Sequence, residues 1–119
     1  MNMKDIEISV DQKTVVAGAD ITGIVRINYD GRFDGVQVNT YITGSNDYVR
    51  FTNLEGKKIS LISRLFVDRQ TIGEKRAFKF TARVDQSSQK ESSIRFRAAM
   101  IQEHKEIASD TVFVPLHAE

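Results

Sequence analysis

The sequence predicts an all-β fold, an antiparallel immunoglobulin-like β-sandwich of about seven to nine strands that occupies residues 1–119 as a single domain. Three observations carry this prediction. Apolar residues recur at every second position in most segments, turn-forming residues interrupt the pattern about every 8 to 12 residues, and no segment has a 3.6-residue period. An up-and-down barrel has the same local pattern and is the alternative architecture.

The first half of the chain has the pattern of several strands separated by turns. Alternating or extended segments are expected at residues 6–10, 14–16, 21–29 and 36–42. Gly23 interrupts the apolar row of the third segment, which is typical of a bulge or of a close approach by another part of the backbone. Residues 48–53 predict a shorter strand of mixed character, which we expect at the edge of a sheet.

Residues 59–68 predict one longer strand with apolar side chains on both faces. Ile59, Leu61, Leu65 and Val67 would face one way, and Ile62 and Phe66 the other. Two interpretations remain open at this point. Either the second face is partly covered, or it forms an exposed patch that a partner uses.

The segment at residues 74–84 has the clearest alternation in the chain. Phe78, Phe80, Ala82 and Val84 form an apolar row, with lysine, threonine and arginine between them. Burying each phenylalanine should contribute roughly 1.5 to 3 kcal/mol, and a slip by one residue would exchange those rings for lysines. The two phenylalanines are therefore the expected anchors of the core.

Two further strands are expected after the polar loop at residues 85–93. In the strand at 94–101, Ile94, Phe96, Ala98 and Met100 form the inward row, with Arg95 and Arg97 opposite them. The last strand, at 106–116, is expected to end near Pro115, because proline lacks the N–H that a central strand needs.

Composition excludes several classes of function. Seventeen basic and sixteen acidic residues give a net charge of +1, which is too balanced to predict a nucleic-acid partner. The chain has no cysteine, so disulfides and thiolate chemistry are excluded and a reducing compartment is allowed. The N-terminal residues lack a signal-peptide pattern, and no apolar run approaches about 20 residues. We therefore expect a cytoplasmic protein without a transmembrane segment.

No motif in the sequence predicts catalysis, a metal or a cofactor. The two histidines, His104 and His117, stand apart from any set with zinc-ligand spacing, and no nucleophile elbow or phosphate-binding glycine loop occurs. Asp30, Asp34 and Asp85 could meet at one end of a sandwich and hold calcium, but aspartate is also favoured in turns for local reasons. We expect no enzyme, and a small hydrolase or a metal-dependent enzyme is the remaining alternative.

A row of cations is the strongest candidate for partner binding. If the strands at residues 75–84 and 94–101 are neighbours, then Lys79, Arg83, Arg95 and Arg97 lie on one face, and Arg26 and Arg64 also point outward by parity. Such a face could bind an acidic or phosphorylated peptide through charge-assisted hydrogen bonds. A solvated strand face with acidic neighbours would give the same pattern.

Several segments resemble the arrestin-like family. Residues 15–25 have the family's glycine-containing turn followed by a second glycine inside a strand, and residues 73–80, Gly-Glu-Lys-Arg-Ala-Phe-Lys-Phe, resemble its Phe-x-Phe strand. Residues 93–100 resemble its Ile-x-Tyr-x-Val-x-Ala strand, with Phe96 in place of the tyrosine. The chain departs from the family in having the length of one lobe instead of two. It also lacks the family's prolines at 85–93.

The resemblance implies a non-catalytic adaptor or scaffold that binds proteins or peptides. An exposed strand edge could add a strand from a partner, or from a second copy of the chain to give a homodimer. A peripheral binder of anionic lipid or another polyanion is the alternative, which the row of cations favours.

Overall fold

The computed structural model describes residues 4–45, 47–85 and 90–117, and most of them lie in β-strands. The described strands are β1 (Ile6–Val10), β2 (Val15–Val16), β3 (Asp20–Ile27), β4 (Gly35–Ile42), β5 (Arg50–Leu54), β6 (Lys57–Ile62), β7 (Leu65–Asp68), β8 (Ala77–Arg83), β9 (Glu91–Gln102) and β10 (Lys105–His117). Between β7 and β8 lie a one-turn helix, α1 (Arg69–Ile72), and a 3-10 turn, Gly73–Lys75.

The strands form two five-stranded sheets that face each other. The first sheet has the order β1-β3-β8-β5-β6, and the second has the order β2-β10-β9-β4-β7. Neighbouring strands are antiparallel except for β2 and β10, which run parallel. The predicted antiparallel β-sandwich is therefore confirmed.

The core lies between the sheets and is built by the predicted apolar rows. Phe78, Phe80, Ala82 and Val84 are at most 2% exposed, whereas the side chains between them point to solvent. The centroid of the Phe80 ring lies 5.6 Å from the ring centroid of Phe51 in the same sheet and 6.0 Å from the ring centroid of Phe96 in the second sheet. Phe80 therefore joins the two layers, and the predicted facing of β8 is confirmed.

The predicted strand at residues 59–68 is two strands, so that prediction is wrong. The chain leaves the first sheet at the end of β6, turns through Ser63 and Arg64, and enters the second sheet as β7. The alternation keeps the same facing across the crossing, with Leu65 and Val67 buried in the core. Ile62 is 37% and Phe66 54% exposed, which favours the interpretation as an exposed patch. The side chain of Leu61 lies outside the described part of the chain.

Two further expectations about strand position are corrected. β5 is not an edge strand, because it lies between β8 and β6 in the first sheet. β8 begins at Ala77 instead of residue 74, since the preceding residues form α1 and the 3-10 turn. A helix this short has no repeated 3.6-residue pattern, although Asp68 caps it by accepting a hydrogen bond from the Thr71 N–H at 2.7 Å.

One lateral side of the sandwich is closed by a side chain that links its two sheets. The Ile8 N–H, on the edge strand β1, donates a hydrogen bond of 3.0 Å to Oδ2 of Asp110 on β10, and the Lys4 ammonium donates to Oδ1 at 2.9 Å. Asp110 is only 11% exposed. A bulge between Glu106 and Ala108 further interrupts the β10 ladder. We call this the closed side, because a bulge and a capped N–H both hinder the addition of another strand.

Asp110 should make the stability of the fold depend on acid pH. Burial raises the pKa of its carboxyl, but the hydrogen bonds from Lys4 and from the N–H groups of Ile8 and Thr111 outweigh burial and leave the pKa below its ordinary value of 3.8. A carboxyl with a lowered folded pKa stabilises the fold above its unfolded pKa, and this contribution is lost as the pH falls through the folded value. Asp110→Ala should therefore destabilise the fold by about 1 to 3 kcal/mol at pH 7 and by less near pH 2.

Urea denaturation between pH 2 and pH 7 measures this effect. The matched control is Asp20→Ala, which removes an exposed carboxylate paired with Arg83 and should change stability by no more than about 1 kcal/mol at any pH. A stability difference between wild type and Asp110→Ala that is the same at pH 2 and pH 7 would contradict the assignment.

Candidate binding surface

The four predicted cations do not share a face, so the expected pairing of their strands is wrong. β8 lies in the first sheet and β9 in the second. Lys79 and Arg83 therefore lie on the outer face of one layer, and Arg95 and Arg97 on the outer face of the other. Two-residue periodicity fixed which way each side chain points, but it carried no information about which strands are neighbours.

The arginines also differ in how their charges are matched. Arg83 Nη2 donates to Asp20 Oδ1 at 3.0 Å, and Arg97 Nη2 donates to Glu106 Oε2 at 2.6 Å. The second hydrogen bond raises the pKa of Arg97 and lowers the pKa of Glu106. Arg95 has no acidic partner among the described residues.

Arg95 lies in a row of aromatic residues on the outer face of the second sheet. It stands opposite Tyr41 of β4 on one side and opposite Phe113 of β10 on the other. Its guanidinium carbon lies 5.6 Å from the centre of the Tyr41 ring, within the range of a cation–π interaction. Tyr41 is 51% and Phe113 63% exposed. These large rings at outward positions give the face an apolar character that strand alternation alone does not require.

A cleft of about 530 Å³ opens at one end of this face. We call it the tyrosine cleft, and define it by Asn39, Tyr41, Asp47, Tyr48, Arg64 and Arg95. β4 supplies the first two residues and the loop after β4 the next two, while the crossing from β6 to β7 supplies Arg64 and β9 supplies Arg95. The cleft thus depends on three separate parts of the chain, which meet only because β7, β4 and β9 are neighbours.

The polar groups of the tyrosine cleft are suited to binding an anion. Within the described residues neither Arg64 nor Arg95 forms an ion pair, and Nε of Arg95 and Oδ1 of Asn39 are buried without a hydrogen-bond partner. Asp47 accepts a hydrogen bond of 2.5 Å from the Ser45 hydroxyl. Two guanidinium groups next to exposed tyrosines can hold an oxyanion and an adjoining apolar group together.

The side chains considered for metal binding or catalysis do not come together in one site. Asp30 pairs with Arg76, Asp34 accepts a hydrogen bond from the Glu103 N–H, and Asp85 pairs with Arg50. No group of three or more metal-binding side chains occurs in the described ranges. His104 lies exposed in the turn between β9 and β10, and His117 Nδ1 lies 3.7 Å from Glu91 Oε1.

The side of the sandwich opposite the closed side is formed by the edge strands β6 and β7. We call it the open side, and it comprises Lys57–Ile62, Ser63, Arg64 and Leu65–Asp68. Ile62 and Phe66 are exposed along it. Ser63 and Arg64 also line the tyrosine cleft, so the edge and the cleft are one continuous surface.

Part of this surface could have been found in the sequence. Tyr41 occupies an outward position between polar residues, where a large ring is unusual, and Arg64 is outward by parity. Tyr48 carried no such signal. Its place in the cleft depends on the loop after β4 and on the crossing between the sheets. In the part of the chain that is described, no helix has the length and apolar character needed to cross a bilayer.

Comparison with known proteins supports the fold. No protein-family model and no curated protein sequence matches the chain. The structure is similar to the human F-spondin reeler domain, with a TM-score of 0.51 and 5% identity over 97% of this chain and 81% of that one. It is also similar to a conjugative transposon lipoprotein from Bacteroides eggerthii, with a TM-score of 0.51 and 10% identity over 94% of this chain and 96% of that one. At these identities the likeness concerns the β-sandwich fold alone, and the arrestin-like resemblance stays a prediction.

Proposed function

We propose that the chain is a non-catalytic adaptor module that binds an extended segment of a partner protein along its open side. The observation that carries this proposal is the difference between the two lateral sides of the sandwich. The closed side is capped at Ile8 by Asp110 and interrupted by a bulge. The open side presents two edge strands with Ile62 and Phe66 exposed. An extended peptide can add to such an edge through main-chain hydrogen bonds, with specificity from alternate side chains.

Two features of the open side favour a peptide with mixed apolar and acidic character. Exposed apolar side chains at Ile62 and Phe66 offer contacts to an apolar residue of the added strand. Lys57 and Lys58 at the start of β6 are both exposed. Lysines on an edge strand disfavour pairing with an uncharged strand and attract carboxylates. We propose a cytoplasmic location as well, because a chain without cysteine suits a reducing compartment.

The arrestin-like character of the module is part of the same proposal. It is supported by the buried Phe78 and Phe80 of the Phe-x-Phe motif and by Gly23, which lies under the Phe80 ring. The alternative, a binder of anionic lipid, drew its support from four cations on one face. Since Lys79 and Arg83 lie in the other sheet from Arg95 and Arg97, that support is weaker.

Selection of a linear peptide library against the purified chain tests the proposal. A selected peptide should bind wild type, and Ile62→Lys or Phe66→Lys should weaken it by about tenfold or more, since lysines on an edge oppose strand addition. The matched control is Phe113→Lys, which places the same charge at an equally exposed ring on β10 and should change the affinity by less than about twofold. Circular dichroism melts check that each variant is folded.

Two outcomes of the titrations would refute the proposal. One is the failure of any selected peptide to bind wild type in solution. The other is affinity that falls in Phe113→Lys and is unchanged in both open-side variants.

A further inference from the structure

The tyrosine cleft brings together two arginines that have no acidic partner within 4 Å among the described residues. Among the described arginines, Arg50, Arg76, Arg83 and Arg97 each have an acidic partner within 4 Å. Arg64 and Arg95 have none in that part of the chain, and both line the same cleft. A pair of guanidinium groups with unmatched charge and a shared concave surface is an arrangement that binds an oxyanion.

The surroundings of Arg95 prepare its guanidinium for such a ligand. The group lies over the Tyr41 ring, and a stacked guanidinium keeps the in-plane N–H donors on its edges for hydrogen bonds. Its Nε is buried and has no acceptor among the described residues. A buried donor without an acceptor is unfavourable. A hydrogen bond from a ligand oxygen to this guanidinium should therefore contribute more binding free energy than one to a fully solvated arginine.

The charge of the cleft selects the kind of anion. Two arginines and the Asp47 carboxylate give a formal charge of +1, which matches one carboxylate. A phosphate monoester carries about −1.5 to −2 at neutral pH and would be repelled more strongly by Asp47. A membrane surface is also a poor match, since recognition of anionic lipid typically uses about four to eight clustered basic residues.

We infer that the tyrosine cleft binds the carboxylate of a glutamate or aspartate side chain carried by the partner segment, with Arg95 and Arg64 as its ligands and Tyr41 and Tyr48 against its methylene groups. The identity of the occupant rests on the proposed function, because Ser63 and Arg64 continue the open side into the cleft. An extended segment bound along β6 and β7 would therefore carry one acidic side chain into this position.

A titration with N-acetyl-glutamate amide, followed by NMR of the arginine Nε–H signals, tests the inference. We expect saturable shifts of the Arg95 and Arg64 signals, and no shifts with N-acetyl-glutamine amide, which has nearly the same shape without the charge. Arg95→Gln should weaken binding by about tenfold or more. Arg95→Lys keeps the charge but loses the planar fork, and should weaken it by a smaller factor.

The matched control is Arg83→Gln, which removes one arginine from the other sheet and should leave binding within about twofold of wild type. Amide spectra of each variant check the fold. Equal shifts with the glutamine compound, or equal losses in Arg83→Gln and Arg95→Gln, would overturn the inference. Tighter binding of inorganic phosphate than of the glutamate compound, or Arg95-dependent binding to anionic vesicles without binding of that compound, would also overturn it.

The two proposals fail separately in these experiments. Loss of library-peptide binding in Ile62→Lys tests strand addition at the open side. The titration with the glutamate compound tests the tyrosine cleft alone. A cleft that binds the compound in a chain that selects no peptide would refute the proposed function and leave the carboxylate subsite in place.

Discussion

Phe80→Ala should lower the free energy of unfolding by about 3 to 5 kcal/mol. Phe80 is 2% exposed and its ring contacts Phe51 within the first sheet and Phe96 across the core. Removing it leaves a cavity between the two layers, because the strands on both sides are held in register and cannot close the gap. Urea denaturation followed by circular dichroism measures the loss.

The control for this prediction is the preceding residue in the same strand. Lys79 is exposed on the outer face of β8, and Lys79→Ala should change the free energy of unfolding by no more than about 0.5 kcal/mol. Equal losses in the two variants would show that the facing of β8 is misassigned.

Gly23→Ala should destabilise the fold by about 1 to 3 kcal/mol, although it adds only one methyl group. A Cβ at position 23 would lie 2.5 Å from Cζ of the Phe80 ring and 2.8 Å from the carbonyl oxygen of Ser9. The ring is fixed by its neighbours and the carbonyl belongs to the paired strand β1, so neither can move without loss. Urea denaturation again supplies the measurement.

A double-mutant cycle with Phe80→Leu distinguishes this steric explanation from a change in the unfolded chain. Leucine is shorter than phenylalanine and should relieve part of the clash, so the double variant should be more stable than the sum of the single losses predicts. Strict additivity would indicate that Gly23 acts through backbone entropy, as glycine does in an unfolded chain.

The sequence predicted what depends on neighbouring residues along the chain. Burial of Phe78, Phe80 and Phe96 followed from two-residue alternation, and the close approach at Gly23 followed from a glycine inside an apolar row. Which strands are neighbours depends on contacts that are distant in sequence, so Lys79 and Arg95 were assigned to one face although they lie in different sheets. Alternation also could not locate the crossing at Ser63 and Arg64, because each half of that segment alternates correctly by itself.

The assembly of the tyrosine cleft could not be predicted for the same reason, although single residues in it could. Arg95 was named as a binding residue because it points outward, and the structure adds what surrounds it. Tyr41 is its cross-strand neighbour, while Tyr48 and Arg64 come from a loop and a crossing. Parity identifies candidates for a surface, but convergence of separate segments requires the topology.

The carboxylate of Asp110, which occupies the edge of β1, has a consequence for how many molecules can join. A sandwich that accepted a strand on both flanks could propagate head to tail into a filament. Here the chain's own aspartate caps the edge of one flank at Ile8, and the edge strands of the other flank are available. Under the proposed function, segments would therefore add on the open side only, and strand addition could not continue from one flank of a chain to the other.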